Sequence, residues 1–156
     1  MYIDNVKFAK NKQKINGEID ISTVDRIQEI DKYSGFIQYS INGDVDKLNR
    51  PILVLNVCGK ITALCQSCLE SVEINLNSST VVTIFFNEDK LDAALFSDET
   101  SDVEDAVLAE EEFDVMNLVE DEIIICLPYA SKHDDCDGLE YHDDVKSPFE
   151  ILKEII

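Results

Sequence analysis

The sequence has few basic residues for its length. Its 156 residues include 13 Lys and Arg against 33 Asp and Glu, which gives a formal net charge of −20. A strongly negative surface repels phosphate backbones, so a broad, sequence-independent grip on DNA or RNA is disfavoured. Anionic membrane surfaces are disfavoured for the same reason. The composition instead favours basic proteins as partners.

Long apolar runs and common catalytic motifs are also lacking. No run approaches the ~20 apolar residues that a membrane span needs, and the N-terminus lacks the layout of a secretory signal. We therefore expect a cytoplasmic protein, whose five cysteines are thiols or metal ligands rather than disulfides. There is no Gly-rich phosphate loop and no serine nucleophile motif, and the many acids are expected to form a solvated surface. No enzyme is predicted.

The charge is unevenly distributed along a chain that we expect to form a single domain, residues 1–156. Residues 1–60 have a net charge of +1, and residues 61–156 have a net charge of −21. Direct contact with RNA is therefore plausible only within residues 1–60. Residues 88–114 contain 12 acids and one lysine, which predicts a long acidic loop. The alternative is that this loop mimics a polyanion for a nucleic-acid-binding protein.

Alternating apolar residues predict several short strands. In addition, a run that is apolar on both faces predicts a central strand at Ile52–Val57, and β-branched and aromatic residues predict a strand at Val81–Phe86. The strands are expected at Phe36–Ile41, Ile52–Val57, Ile61–Cys65, Val72–Leu76 and Val81–Phe86, with turns at Asn42-Gly43 and at residues 77–79. Helices are predicted at Ser22–Asp31, at Val115–Leu127 with Asp114 as the cap, and from Ser147 to the C-terminus. The expected fold is α+β, a mainly antiparallel β-sheet meander packed by two or three helices.

The most specific chemical motif is Cys65-Gln-Ser-Cys68. Two thiols separated by two residues can bind one tetrahedral metal ion from a tight turn. A dithiol redox pair usually lies at a helix N-terminus, whereas the segment after Cys68 has the alternation of a strand. A strand on each side of the pair is typical of a zinc knuckle. We therefore favour a structural zinc site at Cys65 and Cys68. Redox activity of the two thiols is the alternative.

A second pair of donors has the same spacing. His133 and Cys136 are also separated by two residues, so the four side chains Cys65, Cys68, His133 and Cys136 would complete a metal site. The alternative is that these cysteines are ordinary thiols and that His133 is a polar loop residue. Cys58 and Cys126 lie within apolar patterns and are predicted to be core thiols.

Three segments together resemble a known family. Cys65-Gln-Ser-Cys68-Leu69 stands at the end of a predicted strand, and an acidic helix runs from Leu118 into Leu127-Pro128, shortly before His133 and Cys136. A Ser-Pro-Phe-Glu-Ile-Leu segment, residues 147–152, follows near the end of the chain. This order resembles the YceD family, the large ribosomal RNA subunit accumulation proteins, over about residues 36–156.

The resemblance implies a non-enzymatic role in large-subunit ribosome biogenesis. The implied partner is a ribosomal protein or a pre-ribosomal large-subunit particle, and the acidic charge favours a basic ribosomal protein. In the family, a cysteine turn and a later His and Cys correspond to the four candidate ligands above.

Overall fold

The protein is described by a computed structural model for residues 1–96 and 103–136. These residues form an α+β fold, which confirms the predicted class. In chain order, the elements are β1 (Tyr2–Ile3), α1 (Asn5–Lys10), β2 (Lys14–Asp20), a 3₁₀ turn (Ile21–Thr23), α2 (Asp25–Gln28), β3 (Ser34–Val45), β4 (Pro51–Leu64), β5 (Ser71–Phe85), α3 (Glu88–Phe96), β6 (Asp105–Leu108), β7 (Phe113–Asp114) and α4 (Val115–Cys126). None of the described helices is long and apolar enough to span a membrane.

The main sheet is a meander with one added strand. Its order is β2-β3-β4-β5-β6, and each of the first four strands pairs antiparallel with the next. Strand β6 joins β5 in parallel, and β1 pairs with β7 in a separate two-stranded sheet. The mainly antiparallel meander was therefore predicted correctly, whereas its first strand β2 and the parallel edge strand β6 were not predicted.

One face of the main sheet carries the core. Successive side chains of a strand point to opposite faces, and in β3 and β4 alternate residues are buried. Helix α4 packs against this face through Val115, Val119 and Ile123, which have no exposed surface. Helix α1 packs near Gly43, where a Cβ would lie 2.5 Å from the Phe8 carbonyl oxygen.

Two predicted turns are wrong, because both segments continue as strand. Asn42-Gly43 lies within β3, and residues 77–79 lie within β5. The β3–β4 turn comes later, where the Asp46 carboxylate accepts hydrogen bonds from the Leu48 and Arg50 backbone N–H groups. Pairing with β4 over all of β3 and over residues 71–83 of β5 satisfies the backbone groups that a turn would have left for water.

The helices agree with the sequence to different degrees. Helix α4 is confirmed, including its cap, since the Asp114 carboxylate accepts from the Met116 N–H at 3.0 Å. The predicted helix 22–31 is divided into the 3₁₀ turn and the short helix α2, and Asp20 rather than Ser22 caps the turn. The helix predicted from Ser147 lies outside the described residues.

The stretch 88–114 contains more regular structure than the predicted acidic loop. Helix α3, β6 and β7 all lie within it, and β6 pairs with residues 82–85 of β5. The pairing uses the short apolar run Ala106–Leu108, which the abundance of acids obscured. The extent of the single domain stays a prediction.

Candidate metal centre

The first half of the site is the turn between β4 and β5. Strand β4 ends at Leu64, and the backbone N–H of Cys65 donates to the Glu70 carbonyl at 2.8 Å, while the Leu69 N–H donates to the Cys65 carbonyl at 2.9 Å. Leu69 adopts a positive φ of 62°, which lets the chain reverse before β5 begins. The two cysteines thus lie in a tight turn between strands, as the sequence predicted.

The second half is the chain that follows α4. Pro128 comes directly after the C-cap Leu127, so the helix ends and the chain passes to the cysteine turn. There, the Gln66 N–H donates to the Ser131 carbonyl at 2.8 Å. This backbone bond joins segments that are 65 residues apart in sequence.

Four donor atoms meet where the two halves join. Cys65 Sγ lies 3.6 Å from Cys136 Sγ, and Cys68 Sγ lies 3.5 Å from His133 Nδ1. All four ligand atoms lie within 4.8 Å of one another. A tetrahedral zinc ion with Zn–S bonds of about 2.3 Å holds its sulfur atoms about 3.8 Å apart, so the observed spacing fits.

The orientation of the His133 ring also fits a metal ligand. Its Nε2 lies 3.0 Å from the Ser71 carbonyl oxygen, which only accepts hydrogen bonds, so this nitrogen carries the proton. Nδ1 is then the nitrogen that faces the sulfur atoms. Metal-bound histidines usually donate their other N–H group to such a partner, which fixes the tautomer and the ring orientation.

Electrostatics in the metal-free site favour a thiolate next to an imidazolium. Burial opposes ionisation of Cys65, but the backbone N–H groups of Cys68, His133 and Ser67 outweigh it and lower the pKa of this thiol to about 5. The Cys136 side chain and the Ser71 carbonyl raise the pKa of His133 to about 9. A backbone hydrogen bond from Glu70 lowers the pKa of Cys68, but burial and the neighbouring thiols Cys65 and Cys136 outweigh it, so the pKa of this thiol is raised. A metal ion would replace the protons of this cluster.

The donor set indicates which metal could bind. Three sulfur atoms and one imidazole form the Cys₃His combination typical of structural zinc. Cys65 is fully buried and the other three residues are partly buried, so four protein ligands would close the site. Ser131, next to the site, is only 2% exposed. Among the described residues, its Oγ is the one buried side-chain nitrogen or oxygen atom with no hydrogen-bond partner.

The predicted site residues thus have distinct positions. Cys65, Cys68, His133 and Cys136 come together, whereas Cys58 is exposed on the sheet face away from the core, so its prediction as a core thiol was wrong. The alternation of β4 places Val57 inward and therefore Cys58 outward. Cys126 is partly buried, and its Sγ lies 3.8 Å from Glu122.

Sequence reasoning missed one buried polar group, Glu122 on α4. Its carboxylate accepts hydrogen bonds from Ser78 and Thr80 of β5. A signal was present, because the buried side of β5 alternates apolar residues until Ser78 and Thr80 interrupt it. Two hydroxyls on a core face require a polar partner on the element that packs there.

The protein is thus a small α+β protein in which two cysteines of a turn between strands meet a His and a Cys from the segment after a helix that packs on the same sheet. The YceD family profile, described as large ribosomal RNA subunit accumulation protein YceD, matches residues 53–151. The match runs from β4 through both halves of the site, and the chain belongs to this family. Comparison with curated proteins and with solved structures gives no significant match.

Proposed function

We propose that this protein is a non-enzymatic assembly factor that supports accumulation of large-subunit ribosomal RNA by binding a basic ribosomal protein in the cytoplasm. The family match carries the proposal, because the family description names a role in accumulation of this RNA and names no reaction. The net charge favours a protein partner over RNA. At −20, the chain would gain more from binding a basic protein than from covering RNA.

One surface of the described chain has the chemistry that such a partner needs. A groove of about 230 Å³ between β6, β7 and α4 has Val107, Phe113 and Leu118 among its lining residues. Its rim includes Glu110 and Glu112, which form no ion pair within the described residues. Acids around an apolar floor suit a segment that combines Lys or Arg with an apolar side chain.

Affinity purification of the tagged protein at two salt concentrations tests this function. At an ionic strength of about 0.05 M we expect a large-subunit ribosomal protein or a pre-ribosomal particle in the eluate, and at about 0.5 M a large loss of it, because salt screens exposed charges. Protein and RNA are both identified in the eluate. Recovery of no ribosomal protein and no pre-ribosomal particle at the low salt concentration would rule the proposal out.

A charge-matched pair of variants locates the binding surface. The first variant replaces the three consecutive acids beside the groove, as Glu110→Gln/Glu111→Gln/Glu112→Gln. The control variant replaces three exposed acids elsewhere, as Glu18→Gln/Glu29→Gln/Glu73→Gln. Both variants lose three negative charges. We expect only the first to lose the partner, whereas an equal loss in both would mean that net charge alone attracts it.

We further propose that Cys65, Cys68, His133 and Cys136 bind one structural zinc ion. The mutual distances of their ligand atoms support this assignment. Zinc would join the β4–β5 turn to the chain after α4 and would supply folding energy rather than chemistry. The test is the metal content of reduced protein purified without chelators. We expect about one zinc per chain, and a content near zero would refute the assignment.

A further inference from the structure

A carboxylate is buried between α4 and the sheet, away from the metal centre. Glu122 is only 8% exposed and lies in the apolar interface between α4 and β5. One of its oxygens, Oε1, accepts hydrogen bonds from Ser78 Oγ at 2.5 Å and from Thr80 Oγ1 at 2.8 Å. A charged group with this burial needs such partners, because removing it from water is costly.

The two hydroxyls restrict where α4 can lie on β5. Ser78 and Thr80 are two residues apart on the same face of the strand, about 6.6 Å along it, and both donate to the same oxygen atom. Apolar contacts have little directionality, so they would tolerate a small shift of the helix along the sheet. The two hydrogen bonds to Glu122 Oε1 would not tolerate such a shift, because it would break one or both of them.

Strand β5 also holds the far end of the chain that follows α4. Its first residue, Ser71, accepts a hydrogen bond from His133 Nε2 at 3.0 Å. Ser71 and Ser78 are about 23 Å apart along the strand. From Glu122 to His133 the chain can span about 30 Å, namely about 6 Å of helix and then about 24 Å if fully extended. The fully extended chain exceeds that distance by about 7 Å. A shift of α4 away from the site would therefore have to straighten the segment that carries His133.

We propose that Glu122 is a positioning residue for the metal centre, setting the register of α4 on β5 through Ser78 and Thr80 and so bringing His133 and Cys136 to Cys65 and Cys68. The inference rests on the proposed zinc site. Glu122 itself touches none of the four ligands, and its effect passes along the last turn of α4 and the segment after Pro128.

The test replaces the polar cluster with apolar side chains of similar size. The triple variant Ser78→Ala/Thr80→Val/Glu122→Met removes the charge and both hydroxyls together, a change that often leaves stability the same or higher. We expect it to fold and to bind zinc about tenfold or more weakly than the wild type, the range seen when outer-shell partners of metal ligands are lost. The affinity is measured by competition with a chromophoric chelator.

A second measurement needs no metal. In metal-free, reduced protein, the ¹⁵N NMR signals of the His133 ring report its protonation and its hydrogen bond to Ser71. The chain contains two histidines, so a His142→Gln background leaves a single imidazole to assign. We expect the ring signals of His133 to shift or broaden in the triple variant, while a variant with merely lower stability would keep them unchanged.

Two controls separate position from composition. Glu122→Gln keeps the Oε1 acceptor and is expected to bind zinc within about threefold of the wild type, far less than the loss of an outer-shell partner. Glu73→Met/Ser79→Ala makes comparable changes at exposed positions of β5 and should alter neither the affinity nor the His133 signals.

The outcomes decide the inference. A folded triple variant with weaker zinc binding and altered His133 signals supports it, and wild-type affinity with unchanged signals overturns it. If the triple variant does not fold, Thr80→Val alone removes one hydrogen bond, and unchanged affinity in that variant also overturns the inference. If the wild type binds no zinc, the proposed metal centre fails, and the His133 signals alone decide whether Glu122 positions this segment.

Discussion

The long strands and the cysteine site at their end are stabilised by different kinds of interaction. Strands β3 and β4 pair without interruption from Ser34 opposite Thr62 to Val45 opposite Pro51, so each pair adds to a continuous ladder that starts at a short turn. The site joins residues 65–68 to residues 133–136 through the hydrogen bonds of Gln66 and His133 and through contacts between ligand atoms. The sheet is therefore expected to fold without metal, and the proposed zinc ion would add its stabilisation where the two segments of the site meet.

Removal of one ligand should break the site and leave the sheet intact. Cys65→Ser replaces a buried thiolate ligand, and we expect it to lower the zinc affinity by about 100-fold or more. Cys58→Ser is the matched control, since Cys58 is an exposed thiol on β4, the strand that leads into the cysteine turn, and is not one of the four clustered side chains. Metal competition checks both variants, with circular dichroism to confirm the strand content. Equal zinc affinity in the two variants would contradict the assignment.

Truncation in the core should have the reverse effect. Leu55 is fully buried, so Leu55→Ala is expected to lower the free energy of unfolding by about 2–5 kcal/mol. Zinc stoichiometry should stay the same, because Leu55 lies in the middle of β4 and the ligands lie beyond its end. Urea unfolding of the zinc-loaded protein measures the loss. Val54→Ala, on the opposite face of the strand, serves as the control and should cost less than half as much.

The same contrast explains what could be predicted from the sequence. Strand formation in β4, the cap of α4 and the cysteine turn depend on residues close in sequence, and these predictions were correct. The lengths of β3 and β5 depend on their pairing partners, so the predicted turns were wrong. Which face of β4 is buried also depends on its partners in the fold, so the prediction that Cys58 is a core thiol was wrong. The four ligands could be grouped by donor type and spacing, but their meeting depends on how α4 lies on β5.

A change of pH acts on the site through His133. Its pKa is raised to about 9 in the metal-free fold, and metal binding needs the neutral ring. Binding also needs the Cys68 thiolate, and the pKa of this thiol is raised as well. Zinc affinity should therefore rise by more than about tenfold per pH unit between roughly pH 7 and 8.5. The contribution of His133 to metal-free stability has the opposite trend. It is full below the unfolded pKa of about 6.5 and disappears as the pH rises through about 9. A flat affinity profile over this range would contradict a protonated His133 in the metal-free protein.

The smallest expected effect is at the far end of α4. Asp114→Ala removes the carboxylate that accepts from the Met116 N–H, which should lower the free energy of unfolding by about 1 kcal/mol. Asp114→Ser can keep the cap and serves as the control. Because Glu122 lies between this cap and the proposed metal ligands, we expect Asp114→Ala to leave the zinc affinity unchanged. Chelator competition measures the affinity, and urea unfolding of the same sample measures the free energy of unfolding. A loss of affinity as large as that of the triple variant at residues 78, 80 and 122 would mean that α4 responds as one rigid body, and that its register is set along its whole length rather than at Glu122.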